Sequence, residues 1–213
     1  MSLDSAIKDF KYLLDRNYNK ITALNLVVNH YKLGKEERNF LLRYVFSENE
    51  IKEHKSKLCS IEEINGKRIV IDGYNVLITV EAILEGKRVI RCMDGFVRDT
   101  SRIFSNYKFN KNTETAVKKI LRILPRYKPK FILFVFDSQV SRSGELASYV
   151  RREIMNLSLD GDAKTSSIAD SYITKLNWIT LTSDSAIIEN VEKVVDLPSF
   201  LNPLCYSMKS GYL

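Results

Sequence analysis

The first 60 residues carry apolar side chains at spacings of three and four, which is the pattern of amphipathic helices. Three successive stripes consist of Ile7, Phe10, Leu14 and Tyr18, of Ile21, Leu24, Val28 and Tyr31, and of Leu41, Leu42 and Val45. Gly34 is placed as a helix stop between the second and third stripes. The capping-box pattern Ser47-Glu48-Asn49-Glu50 predicts the start of a fourth helix. The turn signal Asn65-Gly66 then predicts a boundary between a helical domain, 1–65, and a second domain, 66–213.

Beyond residue 65 the pattern changes to short apolar runs without polar/apolar alternation. Such runs are typical of strands that are buried on both faces, as in a parallel sheet covered by helices. The runs span residues 67–73, 130–137, 178–184 and, more weakly, 194–196. Helical patterns lie between them at residues 96–107, 113–124, 142–157, 166–176 and 184–191. This alternation predicts an α/β fold with a mostly parallel, doubly wound sheet.

Residues 76–93 allow two interpretations. Residues 76–84 can form a helix, or residues 77–84 can pair with residues 88–92 as a hairpin around Glu85-Gly86-Lys87. The sequence leaves both open.

The composition limits the class of protein. Apolar residues make up 45% of the 213 residues, which is enough for a sizeable core, and the net charge is +7. The longest aliphatic and aromatic run, Phe131–Phe136, is far shorter than the roughly 20 residues of a membrane-spanning helix. The three cysteines have no paired spacing, which argues against a zinc site and fits a reducing compartment. We therefore expect a cytoplasmic protein without membrane contact.

The positive charge is concentrated in the middle of the chain. Residues 1–65 contain 11 Lys and Arg against 10 Asp and Glu, whereas residues 82–130 contain 13 against 4. Aromatic residues lie among the middle cations, namely Phe96, Phe104, Tyr107, Phe109 and Tyr127. Lys and Arg neutralise phosphates and aromatic rings stack on unpaired bases, so this pattern favours nucleic acid as a partner. A solvated basic surface above core aromatic residues is the alternative.

Aspartates at the ends of the predicted strands are the main chemical signal. Asp72, Asp137 and Asp184 each end an apolar run, and Asp170 lies at the front of a predicted helix. Because ligands of parallel α/β sheets bind outside the carboxyl ends of the strands, we expect these four carboxylates at one cleft. The alternative is that each is an ordinary turn or N-cap residue.

Four converging carboxylates would repel one another. At an effective dielectric constant near 20, each ionised pair about 5 Å apart costs about 3 kcal/mol. Either some of the carboxylates are protonated or a divalent cation holds them together. Oxygen ligands without His or Cys favour Mg²⁺ or Mn²⁺.

Motifs around these aspartates resemble those of PIN-like nucleases. Ile71-Asp72-Gly73-Tyr74-Asn75-Val76 is similar to the first motif of the NYN branch, in which the Asp binds metal and the Asn lies beside it. Residues 168–173 followed by Leu181-Thr182-Ser183-Asp184 resemble the paired later motifs of PIN domains. Phe134-Val135-Phe136-Asp137-Ser138 is similar to the central strand motif that is shared with flap-type nucleases, where a basic helix follows.

The resemblance covers about residues 68–197 and implies a PIN-like fold. It implies that Mg²⁺ or Mn²⁺ is held by Asp72, Asp137, Asp170 and Asp184. It also implies that Asn75 orients a ligand or contacts the scissile phosphate, and that a basic helix with Arg142, Arg151 and Arg152 binds nucleic acid. The N-terminal helices together with this part look like an uncharacterised, mainly archaeal protein family.

Several acidic residues have more than one interpretation. PIN domains carry a further acidic residue after the first motif, and Glu81, Asp94 and Asp137 are the candidates. Asp94 fits either the cleft or a turn. Asp160 and Asp162 fit a loop or outer-shell metal ligands.

Three functions agree with these patterns. The first is a metal-dependent endoribonuclease that hydrolyses phosphodiester bonds of single-stranded or structured RNA. The second is a nucleic-acid-binding module on the same fold that does not cleave. The third is a phosphatase of the haloacid dehalogenase type, which needs an Asp two residues after Asp72, where Tyr74 stands. The N-terminal helices can bind substrate, form a homo-oligomer or cap the sheet, and their near-neutral charge argues against a primary RNA platform.

Overall fold

Four helices form the N-terminal part of the protein, whose computed structural model describes residues 3–99 and 107–201. They are α1 (Leu3–Asp15), α2 (Lys20–Tyr31), α3 (Lys35–Tyr44) and α4 (Glu48–Lys57). The predicted capping box starts α4, because the Glu50 N–H donates to Ser47 Oγ at 3.2 Å and the Ser47 N–H donates to the Glu50 carboxylate at 2.6 Å. Gly34 precedes α3 rather than ending α2, whose C-cap is Lys32 in the left-handed conformation (φ 53°).

Strands and helices alternate in the rest of the described chain. The strands are β1 (Arg68–Asp72), β2 (Val89–Arg91), β3 (Val97–Asp99), β4 (Phe131–Asp137), β5 (Gly161–Ser166), β6 (Ile179–Leu181) and β7 (Val194–Val195). The helices are α5 (Gly73–Leu84), α6 (Lys111–Ile123), α7 (Ser143–Asn156), α8 (Ala169–Leu176), α9 (Ser185–Glu189) and α10 (Leu197–Leu201), and short 3₁₀ helices cover Ile61–Ile64 and Leu124–Tyr127. Within the described residues, no helix combines the length and the apolar character that crossing a membrane requires.

Five of the described strands form one parallel sheet in the order β5-β4-β1-β6-β7. Ile71 of the central strand β1 pairs with Phe134 of β4 on one side and with Leu181 of β6 on the other. The chain adds β4 and β5 on one side of β1 and then crosses to the other side for β6 and β7, so the strand order reverses beside β1. Ligands of open α/β sheets bind at this reversal, outside the carboxyl ends of the strands. The predicted α/β fold with a mostly parallel sheet is confirmed, and the PIN-like topology stays a prediction.

Helices cover both faces of the sheet, which explains the apolar runs without alternation. Ile69 and Ile71 of β1 pack with Phe134 and with residues of α5, α6 and α7 on one face. Val70 points to the opposite face and packs with Ile173 of α8 and with residues of α9. All five side chains are fully buried, and each such side chain contributes about 1.5–3 kcal/mol of transfer free energy.

Some segments differ from the predicted elements. The predicted loop around Gly161 is strand β5, an edge strand in which Ala163 alone is fully buried. Residues 97–99 form β3 rather than the start of a helix over 96–107, and residues 100–106 of that prediction lie outside the described residues. The two interpretations of residues 76–93 are resolved in favour of helix α5, because β2 pairs antiparallel with β3.

The N-terminal helices pack against the α/β part. Phe46, which lies between α3 and α4, packs with Ile90 of β2. Leu58 forms a parallel bridge with Val194 of β7, so the linker after α4 extends the sheet by one pair. Ile61, four residues before the predicted boundary at 65, is fully buried in the core of the α/β part.

Candidate functional site

One cleft at the carboxyl edge of the parallel sheet brings the four predicted aspartates together. Asp72 and Asp137 are the last residues of β1 and β4, Asp184 precedes α9, and Asp170 lies in the first turn of α8. All four line the same cleft of about 480 Å³. They reach one edge because the strands run parallel and the strand order reverses beside β1.

Asp72 lies at the base of this cleft and is buried, with 6% of its surface exposed. Its side chain does not cap α5. Instead, Oδ2 accepts hydrogen bonds from Thr182 Oγ1 at 2.8 Å and from Asn75 Nδ2 at 2.6 Å. Asn75 also lines the cleft, so it lies where the motif resemblance places it, beside the first aspartate. These two donors fix the orientation of the Asp72 carboxylate.

The residue after Asp72 must be small because α5 begins against β4. A Cβ atom on Gly73 would overlap the ring of Phe136. The ring of Tyr74, the next residue, packs edge-on against the same Phe136 ring at 5.3 Å between centroids. The Asp-Gly-Tyr-Asn motif therefore combines one cleft carboxylate with the packing that positions it.

Asp184 and Asp137 serve in local turns as well as lining the cleft. Asp184 Oδ1 accepts the Ala186 N–H at 2.8 Å and caps α9. Asp137 Oδ1 accepts the Gln139 N–H at 2.8 Å. The cap and turn roles that the sequence left as an alternative are thus present at these two positions, together with a place in the shared cleft.

The carboxylates repel one another, and the pKa values reflect this. Burial, followed by the charge of Asp184, raises the pKa of Asp72 to about 7, against the hydrogen bonds from Thr182 and Asn75 that lower it. Partial burial and then the charges of Asp184 and Asp137 raise the pKa of Asp170 above its usual value. A cation bound in the cleft would relieve this repulsion.

The four carboxylates are the ligand type that a hard divalent cation prefers, but their spacing in this structure does not match a metal site. Carboxylate oxygens without His or Cys are the ligands that Mg²⁺ and Mn²⁺ prefer. Across residues 3–99 and 107–201, however, no three His, Cys, Asp or Glu residues are close enough to one another to hold a metal ion. The aspartates therefore share a cleft without forming a closed coordination site in this structure.

The structure places the remaining candidate acids of the sequence. Of the three candidates for the further acidic residue, only Asp137 lines the cleft. Glu81 is buried and accepts a hydrogen bond from Tyr107. Asp160 and Asp162 lie at the start of β5, at the amino edge of the sheet and opposite the cleft.

Asp94 belongs to a buried ion-pair network. Its carboxylate accepts two hydrogen bonds from Arg98, at 2.7 and 2.6 Å, and is 2.8 Å from His54 Nδ1. Burial opposes ionisation, but the charge and hydrogen bonds of Arg98 lower the pKa of Asp94 to about 2. An ionised carboxylate only accepts hydrogen bonds, so His54 Nδ1 is the donor.

This network reaches the cleft through Arg98. The Arg98 Nε–H donates to the Ser183 carbonyl at 2.7 Å, directly before Asp184. Arg98 also lines the cleft and lies on β3. His54 of helix α4 is thus connected through Asp94 and Arg98 to the loop that carries Asp184.

The three predicted RNA-binding arginines lie outside the cleft. Arg142 is exposed at the start of α7 and pairs with Glu145 at 2.6 Å. Arg151 and Arg152 are exposed on the same helix, which runs from the carboxyl edge of the sheet towards the opposite edge. Their contact with nucleic acid stays a prediction.

Cations of the basic middle segment line another groove. It has a volume of about 450 Å³ and includes Lys118, Lys119, Arg122 and Arg126 of α6 and the following 3₁₀ helix. Because this helix leads into the start of β4, the groove extends towards the amino edge of the sheet. Phe104, one of the aromatic residues noted in this segment, lies outside the described residues.

Four charged residues of the cleft were not predicted from the sequence. They are Lys20 of α2, Arg43 of α3, and Arg98 and Asp99 of β3. Arg98 and Asp99 belong to the Asp-Gly segment 94–99, which is the only signal that could have suggested them. Lys20 and Arg43 lie in helices whose charge is nearly balanced, and no local pattern marks them.

Comparison with known protein families divides the chain into two matched parts. Residues 2–57 match the model described as "Protein of unknown function (DUF434)", and residues 61–200 match "Domain of unknown function (DUF5616)". The chain is 42% identical over 199 residues to "Uncharacterized protein MJ0935" of Methanocaldococcus jannaschii, covering 92% of this chain and 95% of the relative. No solved structure matches. The likeness to an archaeal protein agrees with the resemblance noted in the sequence.

Proposed function

This chain belongs to the DUF5616 family, and we propose that it is a metal-dependent nuclease that hydrolyses phosphodiester bonds of RNA. The observation that carries this proposal is the cleft shared by Asp72, Asp137, Asp170 and Asp184 at the strand-order reversal. Four carboxylates in one cleft repel one another, and a bound divalent cation would relieve that repulsion. Phosphodiester hydrolysis by a divalent cation is the chemistry that such a donor set supports best.

The residues divide into two roles in this proposal. The four aspartates would hold Mg²⁺ or Mn²⁺. Asp72 is the most buried of the four, and hydrogen bonds from Thr182 and Asn75 fix its carboxylate. When bound, such an ion activates water and neutralises the charge that develops at the phosphate. Asn75 lines the cleft beside Asp72 and is positioned to hold a carboxylate oxygen or to contact the scissile phosphate.

The PIN-like assignment is part of the proposal. It is supported by the order of the motifs and by their placement, since the first motif ends the central strand and the later pair lies on α8 and after β6. A phosphatase of the haloacid dehalogenase type is less well supported. The position that would carry its general acid is Tyr74, a buried side chain packed against Phe136.

A second candidate function is an RNA-binding module that does not cleave. The spacing of the acidic residues favours it, because within the described chain no three of them approach closely enough to hold an ion. This candidate and the nuclease differ in one measurable property, namely whether Mn²⁺ binds in the cleft.

The test is cleavage of a labelled single-stranded RNA with Mn²⁺ and with EDTA. We expect cleavage by the wild type with Mn²⁺ and none with EDTA. Asp72→Asn and Asp184→Asn should reduce the rate by more than the roughly 10–100-fold that loss of an outer-shell partner costs. Asp160→Asn is the matched control, because Asp160 precedes β5 at the opposite edge of the sheet. RNA binding without Mn²⁺ binding or cleavage would establish the second candidate instead.

A further inference from the structure

Two cations of the N-terminal helices line the cleft that contains the aspartates. Lys20 is the first residue of α2, and Arg43 lies in the last turn of α3. Both belong to the near-neutral part of the chain rather than to the basic middle segment. Their place in the cleft results from the packing of the helices on the β2–β3 hairpin, where Phe46 contacts Ile90.

Arg43 is fixed towards the cleft by the backbone of β3. Its Nη1–H donates to the carbonyl of Asp99, and the guanidinium is half-buried near the negative charges of Asp99 and Asp184. A guanidinium has five N–H donors in a planar fork, and this hydrogen bond uses one of them. The remaining donors suit a bidentate contact with a phosphate group.

Lys20 is held more weakly. Its ammonium group lies 4.1 Å from the centre of the Phe46 ring and 3.5 Å from the Glu50 carboxylate. That carboxylate also accepts the Ser47 N–H at 2.6 Å, so its shorter contact serves the cap of α4. An ammonium group with one long ion pair at a partly exposed site gains little from that pair and can turn to a phosphate.

We infer that Lys20 and Arg43 bind the phosphate backbone of an unpaired RNA strand that lies between the N-terminal helices and the aspartates. The inference rests on the proposed nuclease function and specifies its substrate class as single-stranded RNA. One phosphate of the strand faces the carboxylates, and a neighbouring phosphate faces the cations. The cleft volume of about 480 Å³ lies in the range of about 300–1,000 Å³ that holds one small ligand, so we expect it to take a short unpaired stretch in preference to a double helix.

Charge balance is the competing explanation, because the same cations lie near the aspartates. If balance is their whole role, Arg43→Lys keeps the charge and leaves RNA affinity unchanged. If Arg43 binds phosphate through its planar fork, Arg43→Lys lowers the affinity because lysine cannot make the bidentate contact. The two explanations therefore differ for a variant that preserves charge.

The test measures RNA binding in EDTA, so that cleavage does not interfere. The probe is a fluorescent single-stranded RNA of about 12 nucleotides, within the roughly 4–16 nucleotides of common single-strand sites, alone and annealed to its complement. The variants are Lys20→Gln and Arg43→Gln, in which glutamine can keep a hydrogen bond. The matched controls are Lys35→Gln and Arg38→Gln, which alter cations of α3 outside the cleft.

We expect each cleft variant to lose affinity for the single strand by about tenfold or more, as for other hydrogen bonds to charged groups. Each should also reduce the log–log salt slope by about 0.7, the value for one phosphate contact on a single strand. The controls should bind like the wild type, and the duplex should bind more weakly than the single strand. Equal affinities of cleft variants and controls, or duplex binding as tight as single-strand binding, would overturn the inference.

Thermal melting of each variant checks that it is folded. If a glutamine variant does not fold, Arg43→Lys decides the question, because wild-type affinity in that variant contradicts a bidentate contact. Failure of the inference and failure of the nuclease proposal give different results. If RNA binding depends on Lys20 and Arg43 but Mn²⁺ supports no cleavage, only the nuclease proposal fails. If RNA is cleaved but its binding does not depend on either residue, only this inference fails.

Discussion

Thr182 Oγ1 donates a hydrogen bond of 2.8 Å to Asp72 Oδ2, joining residues at the carboxyl ends of neighbouring strands β6 and β1. The same hydroxyl oxygen accepts the Asp184 N–H at 3.0 Å. One buried threonine therefore couples the carboxylate of the first motif to the backbone of the last. This pair of hydrogen bonds holds the first and last motifs next to each other at the carboxyl edge of the sheet.

Asp72→Asn should stabilise the protein in the absence of metal. The substitution keeps the side-chain shape but removes the charge that burial and Asp184 oppose. We expect the free energy of unfolding in EDTA to rise by on the order of 1–2 kcal/mol. Mn²⁺ should then raise the melting temperature of the wild type more than that of the variant, through binding to the native state.

The measurement is a melting temperature for wild type, Asp72→Asn and the control Asp160→Asn, each with EDTA and with Mn²⁺. The control should melt like the wild type in both. If Asp72→Asn melts no higher than wild type in EDTA and Mn²⁺ shifts all three equally, the aspartates do not form a cation site.

Asp196 should make stability depend on pH. It is buried, and its Oδ2 accepts the Val97 N–H at 2.8 Å. Burial raises the pKa of Asp196 to about 7, against that hydrogen bond and the charges of Arg91 and Arg98. Between about pH 4 and pH 7 the folded protein keeps a proton that the unfolded chain has lost, so stability falls as the pH rises through this range and levels off above it.

Asp196→Asn should remove this contribution, which is at most about 4 kcal/mol across the range. The measurement is urea unfolding in EDTA at intervals from pH 4 to pH 8, for wild type and variant. Asp72 gives the wild type a second contribution of the same sign, so the variant should retain a smaller slope. Parallel curves for the two proteins would show that Asp196 titrates alike in the folded and unfolded states.

Asp94→Asn should destabilise the protein strongly. It removes the carboxylate that pairs with the buried guanidinium of Arg98 and leaves that cation unpaired. Breaking a buried ion pair in this way costs about 3–5 kcal/mol. Cleavage should also fall, because Arg98 holds the Ser183 carbonyl next to Asp184.

Urea unfolding compares this variant with Lys193→Gln, which breaks the exposed pair between Lys193 and Glu63. The control should unfold nearly like the wild type, since exposed pairs contribute little. Equal effects of the two substitutions would mean that the Asp94 network does not stabilise the fold.

Truncation should locate the end of the N-terminal part more sharply than the turn at residue 65 does. Removing residues 1–57 leaves the Leu58–Val194 pair and the buried side chains of Ile61 and Ile64. Removing residues 1–65 deletes all three, at about 2–5 kcal/mol for each large aliphatic side chain lost from a core. We expect a cooperative thermal transition for the shorter truncation and a much lower or absent transition for the longer one. Equal transitions would show that residues 58–65 contribute nothing to the α/β core.

The salt dependence of RNA binding tests whether the outer face of α7 contacts RNA. If the exposed Arg151 and Arg152 contact phosphates, replacing both by Ala should reduce the log–log slope for single-stranded RNA by about 1.4, which is roughly 0.7 for each contact. The effect should be the same for every RNA sequence, since phosphate contacts carry no sequence information. An unchanged slope would remove this helix from the binding surface.

The aspartates of the cleft could be predicted from the sequence because the rule behind them is local. An apolar run with two buried faces indicates a parallel strand, and the end of such a strand lies at the ligand-binding edge. Strand β5 could not be predicted in this way. As an edge strand it buries Ala163 alone, so it has neither an apolar run nor clean alternation.

The cations of the cleft could not be predicted from the sequence, for a different reason. Helical periodicity shows which face of α2 or α3 is buried, but not which distant segment packs near its ends. Lys20 and Arg43 reach the cleft through tertiary contacts with the β2–β3 hairpin, and those contacts have no counterpart in spacing or composition. His54 pairs with Asp94, which lies 40 residues away, so their pairing has no local signal.

The bridge between Leu58 and Val194 bears on how the chain folds. The two residues are brought together only after nearly all of the α/β part has been synthesised, and the Cys59 N–H then donates to the Val194 carbonyl at 2.8 Å. Contacts between residues far apart in sequence form slowly, because the loop between them must close first. During synthesis Leu58 therefore leaves the ribosome long before its partner Val194. The cleft, with cations from α2 and α3 and carboxylates spread from Asp72 to Asp184, can be complete only after residue 184 has been synthesised.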